Sequence, residues 1–216
     1  MKQFFFDTAN VNYISDFWGK TSDKINKNLV AGVTTNPNAF YKIDKNHLNE
    51  WFDETKRLCE LVSDIRQDDE GVVYIQCPNS NMEPNDVIEY AKRIRDLSDG
   101  KTKVGLKIPP YKRILEIADK LAEYVDVNVT GISDAATALK SLSYGVRYVS
   151  IIPGRMEEVG IYAKGNVSAV NQAFNVEGRI ITGSMRTIEQ VVWTFQYKTV
   201  PTIGERVLDL MLEPSN

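Results

Sequence analysis

The sequence contains a single histidine, His47, and only two cysteines, Cys59 and Cys77. A histidine-rich metal site cannot be assembled from it, and a Ser-His or Cys-His nucleophile would have to use His47. Two cysteines close one disulfide at most, and free thiols in a reducing compartment such as the cytoplasm are expected. There is no strong excess of charge. The 26 basic and 29 acidic residues leave a formal net charge of −3, whereas nucleic-acid binders usually carry a basic stripe or surplus. Apolar runs are short, far below the ~20 residues that a membrane helix needs. The opening run Met1–Phe6 is interrupted by Asp7, and no leader-type apolar core follows. Membrane and nucleic-acid partners are therefore not expected. Nothing in the composition calls for cross-links, because 216 residues are enough for one domain with a sizeable core.

What is present is a recurring pattern. Short apolar segments rich in β-branched and aromatic residues occur at Gln3–Phe6, Leu29–Val33, Val72–Gln76, Val104–Ile108, Val125–Val129, Tyr148–Ile152, Arg179–Ile181 and Thr199–Val200. Bounded by Gly, Pro, Asn or Asp, they predict buried strands. Between most of them the apolar spacing is helical, over Asn46–Ser63, Asp86–Leu97, Ile114–Tyr124, Asp134–Ser143 and Thr187–Gln196. Eight units of about 27 residues each suffice for one strand and one crossover helix apiece. Such alternation predicts a parallel sheet covered by helices, and eight repeats predict a closed (β/α)8 TIM barrel over residues 1–216. A doubly wound open sheet competes, but no Gly-rich dinucleotide fingerprint follows the first strand. Gln67–Gly71 reads as a solvated turn, and Gly204–Leu212 as one short terminal helix.

Polar residues fall where the strands stop. In a barrel these ends and their loops form the active-site face, so the fold hypothesis makes scattered groups converge. Lys107 sits among Val104, Leu106, Ile108 and two prolines. Burial disfavours a charged ammonium, and a neutral amine can attack a carbonyl to form a Schiff base; alternatively its stem is buried and its head lies in water. Asp7 is either a proton carrier or the N-cap of the next helix. Thr34 and Asn36 can hydrogen-bond a polyol or simply open a turn. Gln76 can hold a water or a hydroxyl. Asn128 and Thr130 close the fifth strand and Ser150 lies in the sixth. Arg155, with Ser184 and Arg186, can clamp a phosphate through charge-assisted bonds. His47 reads as a surface or capping residue, and Cys59 as part of a helix near the core. Cys77, beside Gln76, can approach the site. Trp51, Phe52 and the Trp193–Phe195 pair read as packing residues.

Six short motifs, in order and one per strand end, resemble those of the transaldolase family, in particular its small members, which include the fructose-6-phosphate aldolases. They are Phe5-Phe6-Asp7-Thr8-Ala9-Asn10, Gly32-Val33-Thr34-Thr35-Asn36-Pro37, Leu106-Lys107-Ile108-Pro109, Asn128-Val129-Thr130, Tyr148-Val149-Ser150 through Gly154-Arg155, and Gly183-Ser184-Met185-Arg186. The resemblance runs from residue 3 to about residue 201. It implies that Lys107 is the Schiff-base nucleophile and Asp7 the proton carrier. By the same resemblance Thr34, Asn36, Asn128 and Ser150 bind the dihydroxyacetone portion, and Thr130 assists the catalytic water. Arg155, Ser184 and Arg186 then hold the sugar phosphate. The implied reaction moves a dihydroxyacetone unit between sugar phosphates, as the pentose phosphate pathway requires, with no metal or other cofactor.

The match has departures. Transaldolases usually carry Glu where this chain has Gln76, whereas the fructose-6-phosphate aldolases carry Gln. Those aldolases pair the Gln with a Tyr in the sixth strand, and here that position is Ile152; transaldolases have an apolar Phe there. Asn128, Thr130 and Ser150 follow the transaldolase pattern. Transfer is thus the first expectation, cleavage that releases free dihydroxyacetone the second, and a non-catalytic barrel used as a binding module the third. Family members often continue with a further helix that packs on a neighbouring subunit. Here only one short helix fits, which speaks against the family's ring-shaped oligomers and leaves a homo-oligomer open, with no size implied.

Overall fold

The computed structural model describes residues 3–67, 70–174 and 178–213, without the side chain of residue 174. Two residues of the turn expected at 67–71 lie outside these, as do the last three of the chain. The strands are β1 (Phe4–Asp7), β2 (Val30–Thr34), β3 (Gly71–Gln76), β4 (Thr102–Ile108), β5 (Asp126–Ile132), β6 (Tyr148–Ile151), β7 (Ile180–Thr182) and β8 (Val200–Ile203). The helices are α1 (Val11–Thr21), α2 (Pro37–Tyr41), α3 (Leu48–Arg66), α4 (Pro84–Arg95), α5 (Lys112–Leu115), α6 (Ala118–Ala122), α7 (Ala135–Ser143), α8 (Pro153–Glu158), α9 (Ala163–Phe174), α10 (Ile188–Gln196) and α11 (Glu205–Leu212). The strands pair in sequence order, all parallel, and β8 pairs back onto β1. This is the closed (β/α)8 TIM barrel that the repeat of apolar runs predicts. The open-sheet alternative is excluded by the β1–β8 pairing.

Strand alternation divides the barrel into two packings. Val73 and Ile75, Leu106 and Ile108, Val127 and Val129, and Val149 and Ile151 point outward into the helix-covered core. The intervening residues point inward. In the lower part of the lumen Phe5, Tyr74 and Ile181 form a separate cluster flanked by Val72, Tyr148 and Val200. Tyr74 meets Phe5 and Tyr148 edge-on, with ring centroids 5.9 Å apart in each case. Its ring fits because its partner in register on β4 is Gly105. A Cβ on Gly105 would stand 2.2 Å from Cε1 of Tyr74. Gly105→Ala is therefore expected to lower unfolding stability by about 1–3 kcal/mol, read as a reduced urea midpoint at unchanged slope.

The outer helices hold the upper loops in place. α3 turns Trp51, Thr55, Leu58, Val62 and Ile65 inward at helical spacing and packs on β2, β3 and β4. At its start Trp51 stacks on Phe40 of α2, with centroids 4.9 Å apart and planes 8° from parallel. The short helix that follows Asn36 is thereby fixed to a long one. His47 is the N-cap of α3, and its backbone N–H donates to Glu50, the capping role expected of it. That hydrogen bond, with one from the backbone N–H of Asn46, lowers the pKa of the Glu50 carboxyl. Cys59 is fully buried on α3. Burial pushes its thiol up to about 12. No helix among the described residues is long and apolar enough to cross a membrane.

Candidate active site

The inward rows that are apolar low in the barrel become polar above it. Asp7 follows Phe5 on its face of β1, and Gln76 follows Tyr74 on β3. Lys107 follows Gly105 on β4, Ser150 follows Tyr148 on β6, and Thr202 follows Val200 on β8. Together with Thr34 and Thr130 these side chains line a cavity of about 410 Å³ at the carboxyl ends of the strands. Asn36, Arg155 and Ser184 reach it from the loops. Parallel pairing accounts for this convergence: Asp7 is opposite Thr34, Gln76 opposite Lys107, and Lys107 opposite Asn128.

Lys107 is 7% exposed, and its Nζ donates to the backbone carbonyl of Thr35 at 2.9 Å. Burial lowers its pKa below the ordinary 10.5; the Asp7 carboxylate acts in the opposite direction and the Arg155 guanidinium lowers it further. The amine is thus enclosed, shares a cavity with Asp7 and is biased toward its neutral form. A lysine with its head in open water, the competing sequence reading, is ruled out by this placement.

Asp7 is not used as a helix cap. The N-cap of α1 is Asn10, whose side chain accepts from the backbone N–H of Tyr13 at 3.1 Å. The carboxylate is left facing the cavity, where Thr34 Oγ1 donates to Oδ1 at 3.2 Å. Thr34 Oγ1 also lies 2.5 Å from Thr202 Oγ1. Thr202 is a cavity residue that the sequence pattern does not reveal, because the expected last strand ends at Val200, three residues before β8 does.

The other expected residues take varied positions. Asn36 lines the cavity while also capping α2 through a bond from the N–H of Ala39. Thr130 sits where the β5–β6 register shifts, beside Gly131 at φ +78°, and such a bulge re-aims a side chain. Asn128 is fully buried and is not part of the cavity surface. Its Oδ1 accepts from Ser150 Oγ at 2.9 Å, and its Nδ2 has no hydrogen-bond partner. On β5 it stands in register with Lys107. Cys77 does reach the cavity, buried, with its thiol pushed up to about 12 by burial. Ile152 contributes hydrocarbon to the wall.

Arg186 lies one cavity further out. It is absent from the first cavity and lines a second, of about 570 Å³, which shares Asp7, Asn36, Arg155 and Ser184 with the first. Its Nε donates to Glu158 at 2.8 Å, and its backbone N–H donates to Gln190 at 2.6 Å. Gln190 in turn donates to Glu157 on α8. Ser184 holds a left-handed φ of +59°, unusual for a residue with a Cβ. Its loop lies against Gly154 of α8, where a Cβ would come within 1.9 Å of the Ser184 carbonyl. The glycine thus allows the loops after β6 and β7 to close on each other and brings Arg155 beside Ser184. Among the described residues no group of three His, Cys, Asp or Glu side chains is placed to hold a metal ion.

A buried amine and a carboxylate opening on one polar cavity, at the carboxyl mouth of a (β/α)8 barrel, are suited to covalent chemistry on carbonyl compounds, the class that aldolases occupy. Comparison with known proteins makes the assignment specific. The chain matches the Transaldolase/Fructose-6-phosphate aldolase family over residues 4–215, and it belongs to that family. A relative from Methanococcus maripaludis strain C5, named "Probable transaldolase", is 30% identical over 194 residues, covering 85% of this chain and 77% of that protein. Another of the same name, from Bartonella henselae, is 28% identical over 193 residues, covering 88% and 78%. Among solved structures, an HpcH/HpaI aldolase from Desulfitobacterium hafniense DCB-2 superposes with a TM-score of 0.56 at 11% identity, over 99% of this chain and 95% of that one. That likeness is one of fold alone.

Proposed function

We propose that this protein is a Schiff-base transaldolase, which moves a dihydroxyacetone unit from a ketose phosphate such as fructose 6-phosphate or sedoheptulose 7-phosphate to an aldose phosphate. The observation that carries the reading is the enclosed Lys107 amine, biased toward neutrality and opening on the same cavity as Asp7. Neutral Lys107 adds to the C2 ketone, and the carbinolamine hydroxyl takes up a proton from solvent and leaves as water to give a protonated imine. Asp7 takes the proton of the C4 hydroxyl, the C3–C4 bond breaks, and its electron pair flows into the imine to leave an enamine on Lys107. The aldose departs. An acceptor aldehyde is then attacked by the enamine carbon, Asp7 returns its proton to the new alkoxide, and water releases the product ketose. Covalent attachment divides one hard step into easier ones. In this reading Thr34, Asn36, Asn128 and Ser150 hold the three-carbon fragment. Thr130 assists the water that adds to the imine. Arg155, Ser184 and Arg186 orient the phosphate. We place the reaction in the pentose phosphate pathway and in the cytoplasm, where buried Cys59 and Cys77 remain thiols.

Gln76 favours a second reading. An amide cannot serve as a base toward water as a carboxylate can, so Gln76 supports a fructose-6-phosphate aldolase that releases free dihydroxyacetone. Incubation of fructose 6-phosphate with and without erythrose 4-phosphate separates the two. Glyceraldehyde 3-phosphate formed only with the acceptor supports transfer. Equal formation without acceptor, accompanied by free dihydroxyacetone, replaces transfer by cleavage. A protein that forms no borohydride-trapped adduct on Lys107 with either sugar is not a Schiff-base enzyme at all.

A further inference from the structure

The second cavity contains more positive charge than the three residues assigned to a phosphate account for. Four cations line it: Arg155 and Arg186, and in addition Lys42 from the end of α2 and Arg206 from the first turn of α11. Only Arg186 is held by a carboxylate, that of Glu158. Lys42, Arg155 and Arg206 have no ion-pair partner among the described residues. Two carboxylates, Asp7 and Glu205, also line the cavity. Asp7 accepts from Thr34, and Glu205 accepts from Thr8 Oγ1 at 2.5 Å. Hydroxyl donors leave both carboxylates charged, but four cations still outnumber Asp7, Glu205 and the Glu158 that pairs with Arg186, a positive surplus that suits an anionic phosphate.

Arg206 is held in place although its side chain is exposed. Val207 and Leu208 bury the inner face of α11. Tyr13 Oη donates to the carbonyl of Glu205 at 3.0 Å and to Asp209 Oδ1 at 2.9 Å. Lys42 is fixed through α2, whose Phe40 is stacked beneath Trp51. The two cations thus stand on anchored elements on the β1 side of the cavity, and Arg155 and Arg186 stand on the β6–β7 side.

We propose that Lys42 and Arg206 complete a four-cation cradle in the second cavity that binds the terminal phosphate of the sugar substrates, which makes them phosphate-specificity residues of this chain. The inference rests on the sugar-phosphate reading above for the identity of the ligand, but its test does not require catalysis. Inorganic phosphate is titrated calorimetrically into wild type, into Lys42→Gln/Arg206→Gln, and into Lys20→Gln/Lys24→Gln. Lys20 and Lys24 are exposed and line neither cavity, so the last variant removes the same net charge far from the site. Loss of charge-assisted bonds is expected to weaken phosphate binding by about tenfold or more in the first variant, with the Lys20/Lys24 variant like wild type. Equal binding in the first variant overturns the proposal. Equal weakening in both variants also overturns it, because the effect is then one of net charge alone. If the double variant melts well below wild type, the Lys42→Gln and Arg206→Gln single variants are compared in its place. Phosphate binding that depends on these cations, with no Schiff-base adduct on Lys107, removes the enzymatic reading and leaves the cradle; the converse result removes the cradle and leaves the enzyme.

Discussion

Lys107→Met is expected to abolish the borohydride-trapped adduct and to reduce turnover below about one part in 10³ of wild type, while leaving the protein at least as stable. The two effects have the same origin. In the native barrel the amine is enclosed, and its pKa is lowered mainly by burial. The unfolded chain restores the ordinary value of 10.5. Between the lowered value and 10.5 the unfolded state binds more protons than the native state, so stability rises with pH across that window and the penalty is fully present below it. Methionine has a similar length and no charge, so it removes the penalty, which is about 1.4 kcal/mol for each pH unit separating the two values. Urea unfolding of wild type and variant at about pH 6 and about pH 10 provides the check. The variant's advantage should be larger at the lower pH. A variant that is clearly less stable at both would show that the amine's bond to the Thr35 carbonyl outweighs its desolvation.

Asp7→Asn is expected to separate imine formation from bond cleavage. Asparagine can accept the Thr34 hydrogen bond but cannot take a proton from a C4 hydroxyl. Loss of a positioned general base costs typically 10²–10⁴-fold, and turnover of fructose 6-phosphate should fall by about that factor. Trapping of dihydroxyacetone on Lys107 should persist. Its pH dependence should also move in a defined direction. The Asp7 carboxylate raises the lysine's pKa against the effect of burial; without it the amine is neutral at lower pH, so the trapping profile should begin to rise at lower pH than in wild type. A profile that moves to higher pH, or turnover that survives the substitution, would remove Asp7 from the role assigned to it.

Much of the barrel was legible because buried parallel strands are nearly continuous apolar runs, and all eight expected runs are strands. The errors have identifiable causes. β4 begins at Thr102 rather than Val104, because Thr102 and Lys103 are polar residues at the barrel's other mouth, where Lys103 pairs with Glu70 at 2.8 Å. β8 extends to Ile203 through Pro201 and Thr202, residues that do not suggest a strand in isolation. The helix expected over Ile114–Tyr124 is two helices, separated around Glu116 and Ile117. α1 and α9 were not evident. α1 carries Asn12, Ser15 and Gly19, poor helix formers, and α9 presents a modest stripe of Ala163, Val167 and Val170.

Legibility of the site differed by residue. Lys107 stood out because a charge within an apolar strand is anomalous, and the structure encloses it. Asp7 could not be distinguished from a cap until Asn10 was seen to fill that role. Asn128 was legible as a polar residue in an apolar strand, but its complete burial against Ser150 comes from the neighbouring strand and has no local signature. Lys42 and Arg206 gave no signal, since an exposed cation near a helix end is common. Only the closing of β8 onto β1 puts Lys42 and Arg206 on one cavity.

The aromatic layer of Phe5, Tyr74 and Tyr148 beneath Lys107 also constrains the order of events. It stops the barrel like a cork, so every molecule that reaches the amine must come and go through the same opening. On the proposed transfer reading, the outgoing and incoming aldoses share that one entrance. The first is then expected to leave before the second enters, and double-reciprocal initial-rate plots against donor concentration at several acceptor concentrations should run parallel, the double-displacement pattern.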